Sequence, residues 1–457
     1  MASFFDRGSQ IAGPGFSRWL VPPAALAIHL CIGQAYAFSV FKLPMTKLIG
    51  ITASAPDDWK QSELGWIFSI AIAVLGLSAA LFGRWVESGG PRRAMFVAAC
   101  CFGGGFLIAA LGVQMHNIWI VYLGYGGLGG IGLGIGYISP VSTLIKWFPD
   151  RPGMATGMAI MGFGGGAMIA SPLSLMLMKA FATPASLGVA ETFVAMGALY
   201  FVVMLFGVFL VRLPADGWRP EGFVPRAVAG AMITVGHVTV DQASRTRQFW
   251  QLWLVLCMNV TAGIGILETA SPMIQEMFPG HVTAVAAGGF VGLLSIFNMA
   301  GRFVWSSTSD YIGRRATYMV FFTLGIVLYA AIPAIGHMGS VPLFVAVCAV
   351  LLSMYGGGFA TIPAYLRDVF GTMHVGAIHG RLLTAWSVAG VLGPVLVNYM
   401  RDYQLAQGVP KADAYDVTMY LMAVLLAVGF VSNWFMKPVD ARLHYQAEPM
   451  GAGGRTA

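Results

Sequence analysis

The chain predicts an all-α membrane protein with twelve transmembrane helices in two pseudo-symmetric six-helix bundles. Three observations carry that expectation. The composition is too apolar for a water-soluble core, the apolar residues fall into twelve runs with short polar gaps, and a set of residues recurs at one fixed offset.

Composition comes first. Of 457 residues, 57% are hydrophobic and 10% charged, with mean hydropathy +0.75, whereas a soluble domain is about a quarter charged. Surface-to-volume scaling limits how much apolar surface one soluble core can hide. A lipid solvent removes that limit, provided each span supplies roughly 20 apolar residues and satisfies its own backbone as helix. The 59 glycines suit close helix packing in lipid. The net charge of +7 resides in short loops, with no basic cluster interleaved with aromatics, so nucleic acid is excluded as a partner. Cys31, Cys100, Cys101, Cys257 and Cys348 all lie in apolar runs without metal or disulfide spacing, and read as small buried hydrophobes. The first apolar stretch is too long for a signal peptide and is expected to remain as the first span.

The runs lie near 19–41, 64–83, 93–113, 118–146, 154–180, 190–211, 249–272, 284–307, 317–335, 341–366, 377–399 and 415–436. A polar stretch, 213–247, is expected to be a cytoplasmic linker between a bundle at 1–212 and a bundle at 248–457 with a short tail. With both termini inside, cytoplasmic segments hold nineteen Lys and Arg and outward segments six, the asymmetry of an inner (plasma) membrane protein. The chain is expected to sit in the bilayer as a monomer.

The third observation is duplication. Gly83-x-x-x-Glu87-x-x-Gly90-x-Arg92-Arg93 follows run two, and Asp310-x-x-Gly313-Arg314-Arg315 follows run eight. An offset of 223 relates Glu87 to Asp310, Gly90 to Gly313, Pro140 to Pro363, Gly153 to Gly376 and Gly157 to Gly380. Two parallel-related halves are the organisation of a rocking transporter. In both loops an acid at a helix end can pair with neighbouring arginines and hold one conformer, releasing it when the halves move. Glu87, Gly90, Arg92, Arg93, Asp310, Gly313, Arg314 and Arg315 are therefore the conformational candidates; the plainer reading is a set of positive-inside anchors.

Other motifs fall away. Gly124-Tyr-Gly126-Gly127-Leu-Gly129 matches GxGxxG, but inside an apolar run it reads as helix packing. No Gly-x4-Gly-Lys-Ser/Thr stretch occurs, so no ATPase site and no cofactor is expected. Asp57-Asp58 lacks a second acidic pair and reads as a solvated loop. Nothing else suggests an enzyme: no metal cluster and no nucleophile–base set are visible.

Arg302 is the most informative residue. It lies eight positions before Asp310, roughly 12 Å along a helix, near the midplane of a roughly 30 Å hydrocarbon layer. A cation there must face a wet cavity or a partner. Anion binding is the leading reading, with Asn298 one turn away to orient the guanidinium; snorkelling and an ion pair with Glu268 are the alternatives. Tyr36, Tyr137, Tyr355 and Trp386 are mid-span aromatics with polar tips, suited to a cavity or to helix packing. Glu268 and His29 are the titratable candidates for moving a proton.

The loop at Gly83–Arg93 resembles the loop-2/3 signature of the major facilitator superfamily. Within it the chain is similar to the oxalate/formate antiporter family, related to monocarboxylate transporters. The segments that carry this are Gly136-Tyr137 through Trp147-Phe148-Pro149-Asp150, Asn298-x-x-x-Arg302 before Ser309-Asp310, and Asp368-x-Phe370-Gly371-Thr372. The resemblance implies a small carboxylate in a central cage, held by Arg302, with Tyr36, Tyr137, Tyr355 and Phe359 as cage aromatics. It also implies a second central cation for oxalate, a lysine in run eleven, where this chain has Trp386. One fixed cation matches one carboxylate, and a dianion would leave a charge uncompensated. The expectation is a monocarboxylate (formate, lactate, pyruvate or acetate) moved by proton symport or anion exchange. An oxalate/formate exchanger, an efflux carrier for other solutes, and a membrane sensor on a transporter scaffold are the rivals.

Overall fold

The structure is a computed structural model and describes residues 4–223, 232–234 and 236–445, without the side chains at nine helical positions that include Glu268. Twelve long helices run through them: α1 (Arg18–Ala37), α2 (Gln61–Gly89), α3 (Pro91–Gln114), α4 (Ile118–Trp147), α5 (Pro152–Phe181), α6 (Val189–Leu210), α7 (Arg247–Met277), α8 (Ala284–Ile312), α9 (Arg314–His337), α10 (Val341–Phe370), α11 (Val375–Ala406) and α12 (Asp416–Trp434). Eleven are long and apolar enough to cross a membrane; the twelfth, α8, carries Asn298 and Arg302.

The helices outrun the apolar runs by a few residues because polar caps extend them. Thr246 and Thr283 accept the backbone N–H of Phe249 and Ala286 and start α7 and α8. Gly90 and Gly313, one offset apart, stop α2 and α8 with φ of 81° and 86°, where a Cβ would be strained. The GxGxxG stretch is a π-helical segment, Tyr122–Gly129. A Cβ on Gly124 would stand 2.6 Å from the backbone nitrogen of Ala109 on α3, so these glycines serve packing. Asp58 accepts the N–H groups of Ile49, Gly50 and Ala55 at 2.8, 3.1 and 2.8 Å. Burial pushes its carboxyl up, and those three bonds outweigh it and hold the group below the usual carboxylate range. Of the expected linker, 224–231 and 235 lie outside the described residues. Its start packs on the first half, where Trp218 meets Trp147 at 4.7 Å, and its end docks on the last six helices, with Thr234 and Val238 donating to the carbonyls of Asp368 and Phe370 at 2.7 and 2.9 Å.

The first and last six helices meet along two seams, α5 on α8 and α11 on α2. Both depend on glycine. A Cβ on Gly157 would lie 2.8 Å from the carbonyl oxygen of Arg302, and one on Gly380 would lie 2.1 Å from that of Ala79. Ala79 and Arg302 are themselves 223 positions apart, so the seams are copies of one contact. Each seam ends on an acid at a helix N-terminus. Asp310 accepts the N–H groups of Gly153 and Met154 at 2.9 and 2.8 Å. Glu87 accepts that of Gly376 at 2.8 Å. Unpaired N–H groups and the helix dipole favour an anion at both places.

The ion pairs around these acids correct part of the sequence reading. In the second copy Arg314 bonds Asp310, as well as Asp368 at 3.2 Å, and Arg315 reaches the carbonyl of Trp434. In the first copy Arg92 and Arg93 do not meet Glu87. Arg92 is buried and donates to the carbonyls of Phe4 and Ser9, tying down the N-terminal segment. Arg93 lies over the ring of Trp85. Glu87 pairs instead with Lys146, at the end of α4. The expectation failed because α3 turns its first residues toward the chain terminus and away from the seam.

Two outcomes follow for the full-length chain. Gly380→Ala should lower the melting temperature and slow transport, since overpacking against backbone costs about 1–3 kcal/mol; Gly292→Ala, with nothing within 4 Å of the added methyl, should do neither. Asp310→Asn should loosen the α5–α8 seam by about 1 kcal/mol, read as roughly fivefold faster maleimide labelling of a cysteine placed at Thr156 in a background without native cysteines. Thr156, next to Gly157 of the seam, is buried and donates to the carbonyl of Ala360 on α10 of the other half.

Candidate functional site

Between the two halves, at the end away from Glu87 and Asp310, a cavity of about 520 Å³ opens. Its walls come from α1, α2, α5, α7, α8 and α11 and are mostly apolar, including Phe38, Trp66, Phe68, Ile264 and Val391. Tyr36 and Asn298 line it; Arg302, one turn below Asn298, is wholly buried.

The backbone explains how a buried cation sits there. Gly157 lets α5 approach α8 where Arg302 begins, so the guanidinium reaches both halves. Its Nε donates to Asn298 Oδ1 at 3.0 Å, its Nη1 to the carbonyl of Ile160 on α5 at 3.4 Å, and its carbon lies 5.7 and 5.4 Å from the ring centres of Phe163 and Phe359. Ring faces solvate a cation only partly. Its Nη2 has no hydrogen-bond partner, and among the described residues no carboxylate pairs with Arg302. The Glu268 side chain, the alternative partner, lies outside the described residues.

The aromatics converge on this cation from both halves. Tyr36 on α1 meets Tyr355 on α10, hydroxyl to hydroxyl, at 3.3 Å. Tyr355 packs on Phe359 at 5.3 Å, and Phe359 on Trp386 at 4.5 Å. Trp386 also meets Tyr137 at 5.4 Å and Phe163 at 5.5 Å. The Tyr137 hydroxyl and the Trp386 indole N–H are buried without partners. This buried cluster, with a free guanidinium N–H, an indole N–H and a phenol, offers donors and, among the described residues, no fixed negative charge. That set suits an anionic oxygen. Unpaired buried donors are costly, about 1–3 kcal/mol each, so an acceptor that reaches them is bound with corresponding gain.

His29 is buried beside the ring of Tyr137 at 5.4 Å, its Nδ1 at 3.1 Å from the carbonyl of Ala25 and its Nε2 unpartnered. Two residues that sequence reasoning missed join the group. Phe163 touches Tyr36 at 4.9 Å, Tyr137 at 5.7 Å and Trp386. It stands 223 positions before Trp386, so the repeat offset applied to that tryptophan finds it. His379, buried on α11 with an unpartnered Nε2, lies 5.8 Å from Tyr137; its twin is Thr156, and the sequence carries no signal for it. Arg381 is bound to Asp241 and Ser244 at 2.9 and 2.8 Å, away from the pocket.

The comparisons agree with this geometry at the level of fold. The chain superimposes on the E. coli fucose:proton symporter FucP with a TM-score of 0.64 at 14% identity, covering 91% of this chain and 98% of that one. It is 26% identical over 378 residues to the oxalate:formate antiporter of Oxalobacter formigenes, covering 82% of this chain and 83% of the relative. It is 24% identical over 435 residues to apicoplast pyruvate carrier 1 of Toxoplasma gondii (83% and 76%) and 24% identical over 375 residues to the uncharacterised transporter YhjX of Escherichia coli (82% and 86%). The profile described as Major Facilitator Superfamily matches residues 16–394. With twelve helices, two seams built on one duplicated contact and a central cavity between them, the chain belongs to the Major Facilitator Superfamily of membrane transporters.

Proposed function

We propose that this transporter carries a small monocarboxylate by alternating access, with Arg302 as the anion-binding residue. The observation that supports it is the guanidinium itself, wholly buried one turn beneath Asn298, which lines the cavity, with Nη2 free and no carboxylate partner among the described residues. Asn298 orients it, and Phe163, Phe359, Trp386, Tyr36, Tyr137 and Tyr355 enclose the place a carboxylate occupies. The antiporter and pyruvate-carrier names of the relatives favour a carboxylate cargo. The Lys and Arg distribution supports a cytoplasmic side for the Glu87 and Asp310 loops and for both termini, an orientation in which the cavity faces outward. Glu87, Asp310 and Arg314 then form the closed cytoplasmic gate, which must part for the inward-facing state.

A gradient drives the cycle, through an accompanying proton or a counter-anion; His29 and Glu268 are the titratable candidates for the first. Trp386 argues against oxalate. It adds apolar wall where a second cation would be needed, and an unmatched charge in a dry site costs several kcal/mol.

The test is uptake by the purified chain in liposomes across formate, acetate, lactate, pyruvate and oxalate. Arg302→Gln should lose at least about 30-fold in monocarboxylate uptake, because truncating one partner of a buried charge pair costs about 2–5 kcal/mol, while the protein still elutes as a folded species. Trp386→Lys should shift preference toward oxalate by about tenfold, one added charge pairing being worth about 1.4 kcal/mol here. Vesicles that move oxalate and ignore every monocarboxylate would overturn the proposal.

A further inference from the structure

Among the described residues one charged side chain lines the cavity: Lys42, on the helical turn Ser39–Met45 that continues α1 toward the open end. It is half-buried, and among the described residues it makes no ion pair. Two carboxylates that follow it in sequence, Asp58 and Glu63, are engaged elsewhere. Asp58 is bound to three backbone N–H groups, and Glu63 accepts the N–H of Lys60 at 2.7 Å. Lys42 has no twin, since the position 223 residues on is Gly265. Its field therefore acts along a cleft with low-dielectric walls, the arrangement that concentrates ions of opposite sign and speeds their arrival.

Lys42 lies six residues beyond Tyr36, roughly 9–12 Å along the chain, and Arg302 lies deeper still, beneath Asn298. The two cations thus stand at different depths, Lys42 on the cavity wall and Arg302 beneath it. We propose that Lys42 is an anion-recruiting residue, a first binding station at the cavity mouth from which the carboxylate passes to Arg302. The inference rests on the carboxylate reading above and adds an asymmetry to it. Lys42 serves anions arriving from the open face and does nothing for those arriving through the opposite gate.

The experiment compares formate and lactate transport by oriented proteoliposomes of the full chain in both directions, at low and high ionic strength. Lys42→Gln should raise KM from the open face about five- to tenfold at low salt and flatten its dependence on ionic strength, with KM from the opposite face unmoved. Lys42→Arg should restore both the KM and the salt dependence, which distinguishes charge from packing. Lys42→Met, keeping the length of the stem, should behave as the Gln variant does. A KM within twofold of wild type in the Gln and Met variants, or an equal rise on both faces, would sink this inference and leave the carboxylate reading standing. Wild-type vesicles that take up no monocarboxylate would instead remove the reading on which it rests.

Discussion

A guanidinium held away from water at the centre of an apolar protein sets the terms for everything around it. Stripping such a group of solvent costs several kcal/mol, and Arg302 recovers part of that from the Asn298 amide, the Ile160 carbonyl and two ring faces. Two of these helpers, Ile160 and Phe163, belong to α5 and come within reach only because α5 rides close on α8. That closeness needs Gly153 and Gly157, where a Cβ would meet Ser306 or Arg302 backbone. Asp310 fastens the same pair of helices at their end. The loop signature, the small-residue seam and the cation's solvation are thus one mechanical unit. Parting the seam removes part of the cation's support, which couples occupancy of the pocket to the arrangement of the halves.

Most of the fold is legible in the sequence, because lipid allows so few solutions. Runs of apolar residues must be helices, and a fixed offset between two loops means a repeated bundle. The offset also marks Gly153, Gly157, Gly376 and Gly380, all of which carry the seams. The site is legible where burial of a charge is expensive, hence Arg302, and where family resemblance supplies the aromatics. It is not legible where partner choice depends on which way a helix turns its side chains. Glu87 finds Lys146 and not Arg92 or Arg93, and His379, one turn before the break in α11 at Leu383, lies against Tyr137. Phe163 is within reach of the offset but looks like any other phenylalanine in an apolar run.

Ala79 and Arg302 occupy matching places in the two copies, and only one of them is charged. Two identical six-helix units around a shared axis would bring charges there in even numbers, with like signs facing each other across a dry gap. A single cation at the axis needs the copies to be different, and tandem fusion in one gene is what permits each to drift separately. The odd charge in the middle of this molecule is accordingly a property of the joined chain that neither half could possess as a self-paired subunit.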